Sequence, residues 1–201
     1  MKLVLKENVY LKENSYLKAY KLLNDNNEEV AAFDVEINNE TALISYSTKE
    51  EHRNQGYASK GLTLLKEKLF NEENILFLEL INISNDYSRK VAENAGFFSN
   101  NNINFYTSLN PNAEMIVKSH LSTLTDTSSE YRKVKILLEK ITSWRRKEQA
   151  AKERLRLKLE SLLQEKDVAS PDEYREYVQS EIPHLTNILG NTNNQEKKHS
   201  H

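Results

Sequence analysis

Apolar and polar positions alternate with a period near two over the first fifty residues, and the period then lengthens to between three and four. Residues 1–10 read as a short strand. Tyr16–Leu23 alternates with Leu17, Ala19 and Leu23 on the apolar side against Lys18 and Lys21. A polar turn at Asp25–Glu28 leads into Val30–Ile37, where Val30, Ala32, Phe33, Val35 and Ile37 oppose Asp34 and Glu36. After Asn38-Asn39-Glu40 comes Thr41–Thr48, rich in β-branched and aromatic residues. Strands joined by short polar turns predict an antiparallel meander.

From residue 58 the pattern is helical. Ala58, Leu62, Leu65 and Leu69 recur at spacings of four, three and four, with Lys60, Lys66, Glu67 and Lys68 off that stripe. Ile75–Ile83 is a short apolar run with one charge, Glu79, and reads as a buried strand. Tyr87–Ala95 predicts a helix capped by Asn85 or Asp86 and stopped at Gly96. Phe97, Ile103, Phe105 and Tyr106 supply the strand material after it. The expected fold class is α/β (α+β): a mixed sheet in which an antiparallel meander is followed by β-α-β-α-β, with an all-helical extension at the C-terminal end.

That extension is read from a second stripe. Val134, Leu137, Ile141, Trp144, Ala151, Leu155, Leu159 and Leu162 predict one long helix over residues 130–166 with heptad character, as in a coiled coil. Ser170-Pro171-Asp172-Glu173 predicts the start of another, running to about Ile182 and stopping at Pro183. The expected organisation is a domain at 1–110, a linker at 111–129 marked by Pro111 and the Ser/Thr-rich stretch 119–129, helices over 130–189, and a polar, disordered tail at 190–201.

Charge sharpens this division. Residues 1–110 hold twelve Lys and Arg against sixteen Asp and Glu, whereas residues 130–166 hold twelve against six. Trp144–Lys158 carries seven Lys/Arg against Glu148 and Glu153. The 201 residues contain no cysteine, which excludes a disulfide scaffold, a thiolate zinc site and a cysteine nucleophile. No apolar run reaches the roughly 20 residues of a membrane-spanning helix, and the first residues lack a signal peptide's apolar core. A cytoplasmic protein is expected.

The chemistry is concentrated at Arg53-Asn54-Gln55-Gly56-Tyr57-Ala58, an R-x-x-G-x-A hexapeptide where a loop enters a helix. Such a position offers unpaired backbone N–H groups and the positive end of the helix dipole, so a diphosphate suits it. Gly56 permits close approach and positive φ, Ala58 keeps the first turn clear, and Arg53 can add charge-assisted bonds. A second segment follows: Asn85-Asp86-Tyr87-Ser88-Arg89-Lys90-Val91-Ala92-Glu93-Asn94-Ala95-Gly96-Phe97.

In order and separation these segments resemble the GNAT superfamily of acyl-coenzyme-A-dependent N-acetyltransferases. The second segment, N-x-x-S-x-x-V-x-E-x-x-G-F, is similar to the ribosomal-protein alanine N-acetyltransferase-like branch. The resemblance covers about residues 15–107. It implies acetyl-coenzyme A as acyl donor, with no metal. It implies that Arg53, Asn54, Gln55, Gly56, Tyr57, Ala58 and Ser59 hold the diphosphate. Tyr46, Ser47 and Thr48 would bond the pantetheine arm through their backbone, with Asn85 beside the arm. Ser88 would lie near the thioester sulfur and protonate the leaving thiolate. Two departures stand out. Ala92 replaces a Tyr that often serves as the acid in relatives. Only about fifteen residues precede the second strand, too few for the helices that usually wall the acceptor site.

The implied reaction is direct attack of a primary amine, from a protein N-terminus or a small molecule, on the thioester in a ternary complex. A neutral amine requires a base. Glu50, Glu51, His52 and Glu79 are candidates, and Glu79, the single charge in a buried-looking strand, leads. The alternative is a non-catalytic module that binds a coenzyme A ligand and uses its helices as a scaffold for protein or RNA. The helices themselves are expected to pack on their own domain or on a second copy, with nucleic acid or ribosome a lesser partner for the basic face and no membrane contact.

Overall fold

A computed structural model describes residues 1–81, 83–99, 105–166 and 171–197, the last seven of these by backbone alone. Four strands form the meander: β1 (Lys2–Lys12), β2 (Ser15–Leu23), β3 (Glu29–Asn38) and β4 (Thr41–Thr48). Helix α1 (Tyr57–Glu72) crosses over to β5 (Phe77–Ile81), and α2 (Asp86–Asn94) leads to β6 (Phe98–Ser99) and β7 (Phe105–Leu109). The sheet order is β1-β2-β3-β4-β5-β7-β6, antiparallel throughout except for the parallel β4–β5 pair that the α1 crossover requires. Helices α3 (Ala113–Ser122), α4 (Ser129–Glu165) and α5 (Asp172–Lys197) follow.

Helices α1 and α2 cover one face of the sheet. Ala58, Leu62, Leu65 and Leu69 are fully buried against Phe33, Val35, Ile44, Leu78 and Leu80. Gly61 is fixed by this packing: a β-carbon there would come within 2.3 Å of the Phe33 ring. On the opposite face, α3 and the first half of α4 bury Phe77 and Leu109 under Val117, Val134 and Ile141. The second half of α4 packs with α5 around Leu162, Val178, Leu185 and Ile188, and reaches the sheet at Phe98. The stripe that reads as a coiled coil is thus buried within the chain.

The structure corrects several expectations. In β2 the inward side is Tyr20 and Leu22, while Leu17 is exposed. Lys18 is buried on the inward parity because its ammonium reaches Glu73 beyond the end of α1. Lys66, read as an outward position, is buried and donates from Nζ to the Ala95 carbonyl at 2.6 Å. Its long apolar stem fills the interface while its head closes the end of α2. Two strands follow α2 instead of one. Ile103 lies outside the described residues.

Residues 113–122, inside the expected linker, form α3, whose Ala113 and Val117 are buried one helical turn apart. Pro183 does not end α5 but sits on its exposed side, and the backbone stays helical to Lys197, past the start of the expected tail. A helix can carry a proline at the cost of one internal hydrogen bond when neighbouring packing holds it. Here Glu181, His184 and Leu185 supply that packing.

Candidate active site

Two backbone features meet at one end of the sheet. The first is a notch. β4 pairs with β3 along its whole length, from Asn38↔Thr41 to Ala31↔Thr48. Its pairing with β5 stops after Ile44↔Leu80. Among the described residues, Ser45–Thr48 therefore have no β5 partner, and the main-chain groups on that edge are left open in the middle of a sheet. Buried or half-buried peptide groups rarely stay unpaired without a ligand or water.

The second is the start of α1. A single 3₁₀ turn at Glu50–His52 carries the chain from β4 to Arg53. Asn54 and Gly56 both take left-handed conformations, with φ of 61° and 78°. Gly56 is the N-cap, and no side chain caps the helix. A β-carbon built on Gly56 would meet nothing within 4 Å. The space beside Gly56 is therefore open, no acid lies in the first turn, and the exposed Arg53 makes no ion pair among the described residues. Gln55 is turned back, its amide donating to the Glu51 carbonyl at 3.1 Å.

Helix α2 begins on the other side of the notch. Its start is a capping box: the Ser88 amide donates to Asn85 Oδ1 at 2.8 Å, and the Asn85 amide donates to Ser88 Oγ at 3.3 Å. The Ser88 hydroxyl donates to the Asn85 carbonyl at 2.9 Å. Both polar side chains therefore have a structural task. Ala92 is fully buried and presents no group to the notch.

A hydroxyl that sequence reasoning valued only for its backbone is Tyr46. Its oxygen is buried and has no hydrogen-bond partner among the described residues. Burial, with a smaller contribution from nearby Tyr87, pushes its pKa up to about 12. Nothing in the sequence separates Tyr46 from the other tyrosines, and Tyr20 of β2 shares its unpaired, buried hydroxyl among the described residues.

Glu79 lies on the opposite face, beside Leu43 on β4 and Thr107 on β7. Partial burial raises its carboxyl above the ordinary range, and Lys140 of α4 offsets part of the effect. Next to it the sheet is uncovered, because β1 turns straight into β2 and no helix intervenes. The exposed face forms an open groove of about 380 Å³ whose lining includes Glu7, Val9, Leu17, Asp34, Leu43 and Ile81. The structure thus gathers Tyr46–Thr48, Arg53–Ser59 and Asn85/Ser88 around one notch and sets Glu79 on the far side of the sheet. Among the described residues there is no cluster of three or more side chains suited to a metal ion.

Residues 8–97 match the Acetyltransferase (GNAT) family. The matched stretch runs from β1 to just past α2, and it includes the α1 crossover and both sides of the β4/β5 notch. No curated protein matches the sequence. Solved structures similar to it include a ribosomal-protein alanine acetyltransferase from Vibrio fischeri, 14% identical over 47% of this chain and 62% of that one, with a TM-score of 0.40. A GNAT-family acetyltransferase from Bacillus anthracis is 17% identical over 46% and 66%, at 0.40. A spermidine N-acetyltransferase from Vibrio cholerae, in complex with CoA and spermine, is 13% identical over 47% and 66%, at 0.41. The chain spans less than two thirds of the length of these structures.

Proposed function

We propose that the protein is an acyl-coenzyme-A-dependent N-acetyltransferase acting on a primary amine. The observation that carries this reading is the uncapped, unobstructed start of α1 beside the β4/β5 notch, within a GNAT-family domain. The residues present fit the donor. The amides of Gln55 to Ser59 suit a diphosphate, and Arg53 is free to add charge. The open edge of Tyr46–Thr48 suits an extended arm bearing amides, which would complete the pairing that β5 abandons. Asn85 and the capped start of α2 close the other side. When bound, acetyl-coenzyme A supplies an activated acyl group as a thioester.

The chain's own groups then have separate tasks. A backbone N–H on the open edge of β4 is positioned to stabilise charge on the carbonyl oxygen under attack. The amine approaches from the uncovered face and loses a proton, with Glu79 as the candidate base: its raised pKa makes it a stronger base than an ordinary carboxylate. The proton for the departing sulfur comes from Ser88 or from Tyr46. Both hydroxyls stay neutral at physiological pH, and Tyr46 has its proton uncommitted.

Isothermal titration with acetyl-coenzyme A tests the reading. Saturable binding is expected for the native chain and none for Gly56→Arg, whose side chain would fill the open space. Gly56→Asn, which tolerates left-handed φ, is expected to keep the fold and weaken binding. Unchanged affinity in Gly56→Arg overturns the site. The second reading, a binding module without turnover, is favoured by one observation, the engagement of Asn85 and Ser88 in a cap. Thiol release on incubation with primary amines decides between them.

A further inference from the structure

Helix α2 is attached to the C-terminal extension by a compact set of charges. The Glu181 side chain, on α5, is 1% exposed. It receives Arg89 Nη2 at 3.1 Å, Lys90 Nζ at 3.0 Å and Lys158 Nζ at 2.9 Å. Arg89 and Lys90 belong to α2, Lys158 to α4. Arg89 also meets Glu93 at 2.9 Å, and the same Glu93 oxygen contacts His184 Nε2 at 2.7 Å. Burial alone would raise the Glu181 pKa, yet the surrounding cations hold it at about 2, so the group is a carboxylate with three cationic partners.

This is more than a surface ion pair. Exposed pairs contribute little, whereas removing the charge from a buried partner leaves its cations desolvated and uncompensated. Two of those cations sit in the first and second turns of α2, directly after Asn85 and Ser88, and Tyr87 of the first turn is near enough to Tyr46 of β4 to raise its pKa. The first turn of α1 also touches α2, where Ser59 Oγ lies 3.4 Å from the Val91 carbonyl.

We infer that Glu181 is a positioning residue for the cofactor cleft: by gripping Arg89 and Lys90 it sets where α2 stands relative to β4 and α1, so the helical extension is a working part of the N-terminal site. The inference rests on the functional reading above, and its test separates the two. Full-length Glu181→Gln keeps shape and loses charge. Leu185→Ala, in the α4–α5 core and fully buried, serves as a packing control.

Two readouts are taken: acetyl-coenzyme A affinity by calorimetry, and hydrogen exchange of α2 amides in the ligand-free protein. Glu181→Gln is expected to lose about tenfold in affinity, with faster exchange in α2 and unchanged exchange in α1. Leu185→Ala is expected to leave α2 exchange and affinity near native. Native affinity in Glu181→Gln, or an equal loss in Leu185→Ala, overturns the inference. If the native chain binds no coenzyme A, the functional reading fails, and α2 exchange alone decides whether Glu181 places that helix: unchanged exchange in Glu181→Gln refutes it.

Discussion

Lys66 shows how far a single side chain can depart from what its neighbours in the sequence suggest. Its ammonium is buried at the junction of α1 and α2, and desolvation lowers its pKa from the usual 10.5 to about 8. In the unfolded chain it keeps its proton to the higher value. Between about pH 8 and 10.5, unfolding therefore takes up a proton, and this group's contribution to stability rises with pH across that window and is lost as pH falls to 8. Lys66→Met removes the dependence. The native-minus-variant difference in urea unfolding is expected to grow in favour of the native chain between pH 8 and 10.5, by up to about 3 kcal/mol. Equal differences at both pH values would mean the ammonium is solvated. The residue is illegible in the sequence because Lys60, Lys66, Glu67 and Lys68 look alike there, and only Gly96 and the α2 end tell them apart. Gly56, by contrast, was readable as a residue that permits positive φ, and Asn85 as one of two cap candidates, because those backbone demands select few residue types.

At the scale of elements, legibility followed pattern strength. β4 lies at the residues its β-branched run marks, and α1, α2 and α4 begin within one residue of their expected starts. β2 failed in parity, since Leu17 and Ala19 on one side and Tyr20 and Leu22 on the other are equally apolar, and the choice is made by α1 packing. α3 went unread because Pro111 and the Ser/Thr-rich stretch from Ser119 mark the segment as a break, although Ala113, Ile116, Val117 and Leu121 recur at helical spacing. α5 outran its proline because tertiary contacts overrode the break. Pro183 is exposed and inside a helix. Pro183→Ala restores an N–H and is expected to stabilise the protein by about 1–3 kcal/mol, read as a higher thermal midpoint. A fall in the midpoint would show that the proline ring itself stabilises α5.

For the molecule as a whole, the N-terminal domain and its extension share a core. Ile141 of α4 is fully buried with Phe77 and Leu109 of the sheet. Ile141→Ala is expected to cost about 2–5 kcal/mol and to lower a single cooperative unfolding transition. Two separate transitions, with only one shifted, would show the extension folding independently. The charge asymmetry that divides the sequence at residue 110 does not divide the structure, because Arg145 of α4 donates to the Pro111 carbonyl at 3.2 Å and Asn110 ties β7 to Ile75 at 3.0 Å.

The parting of β4 and β5 has a mechanical consequence. Among the described residues, four pairs, Thr41–Ile44 with Phe77–Leu80, stitch the meander to the other three strands. Bending stiffness across the sheet is lowest at that seam, and any molecule wedged into it acts as a splint between two blades that the chain itself fastens at one end.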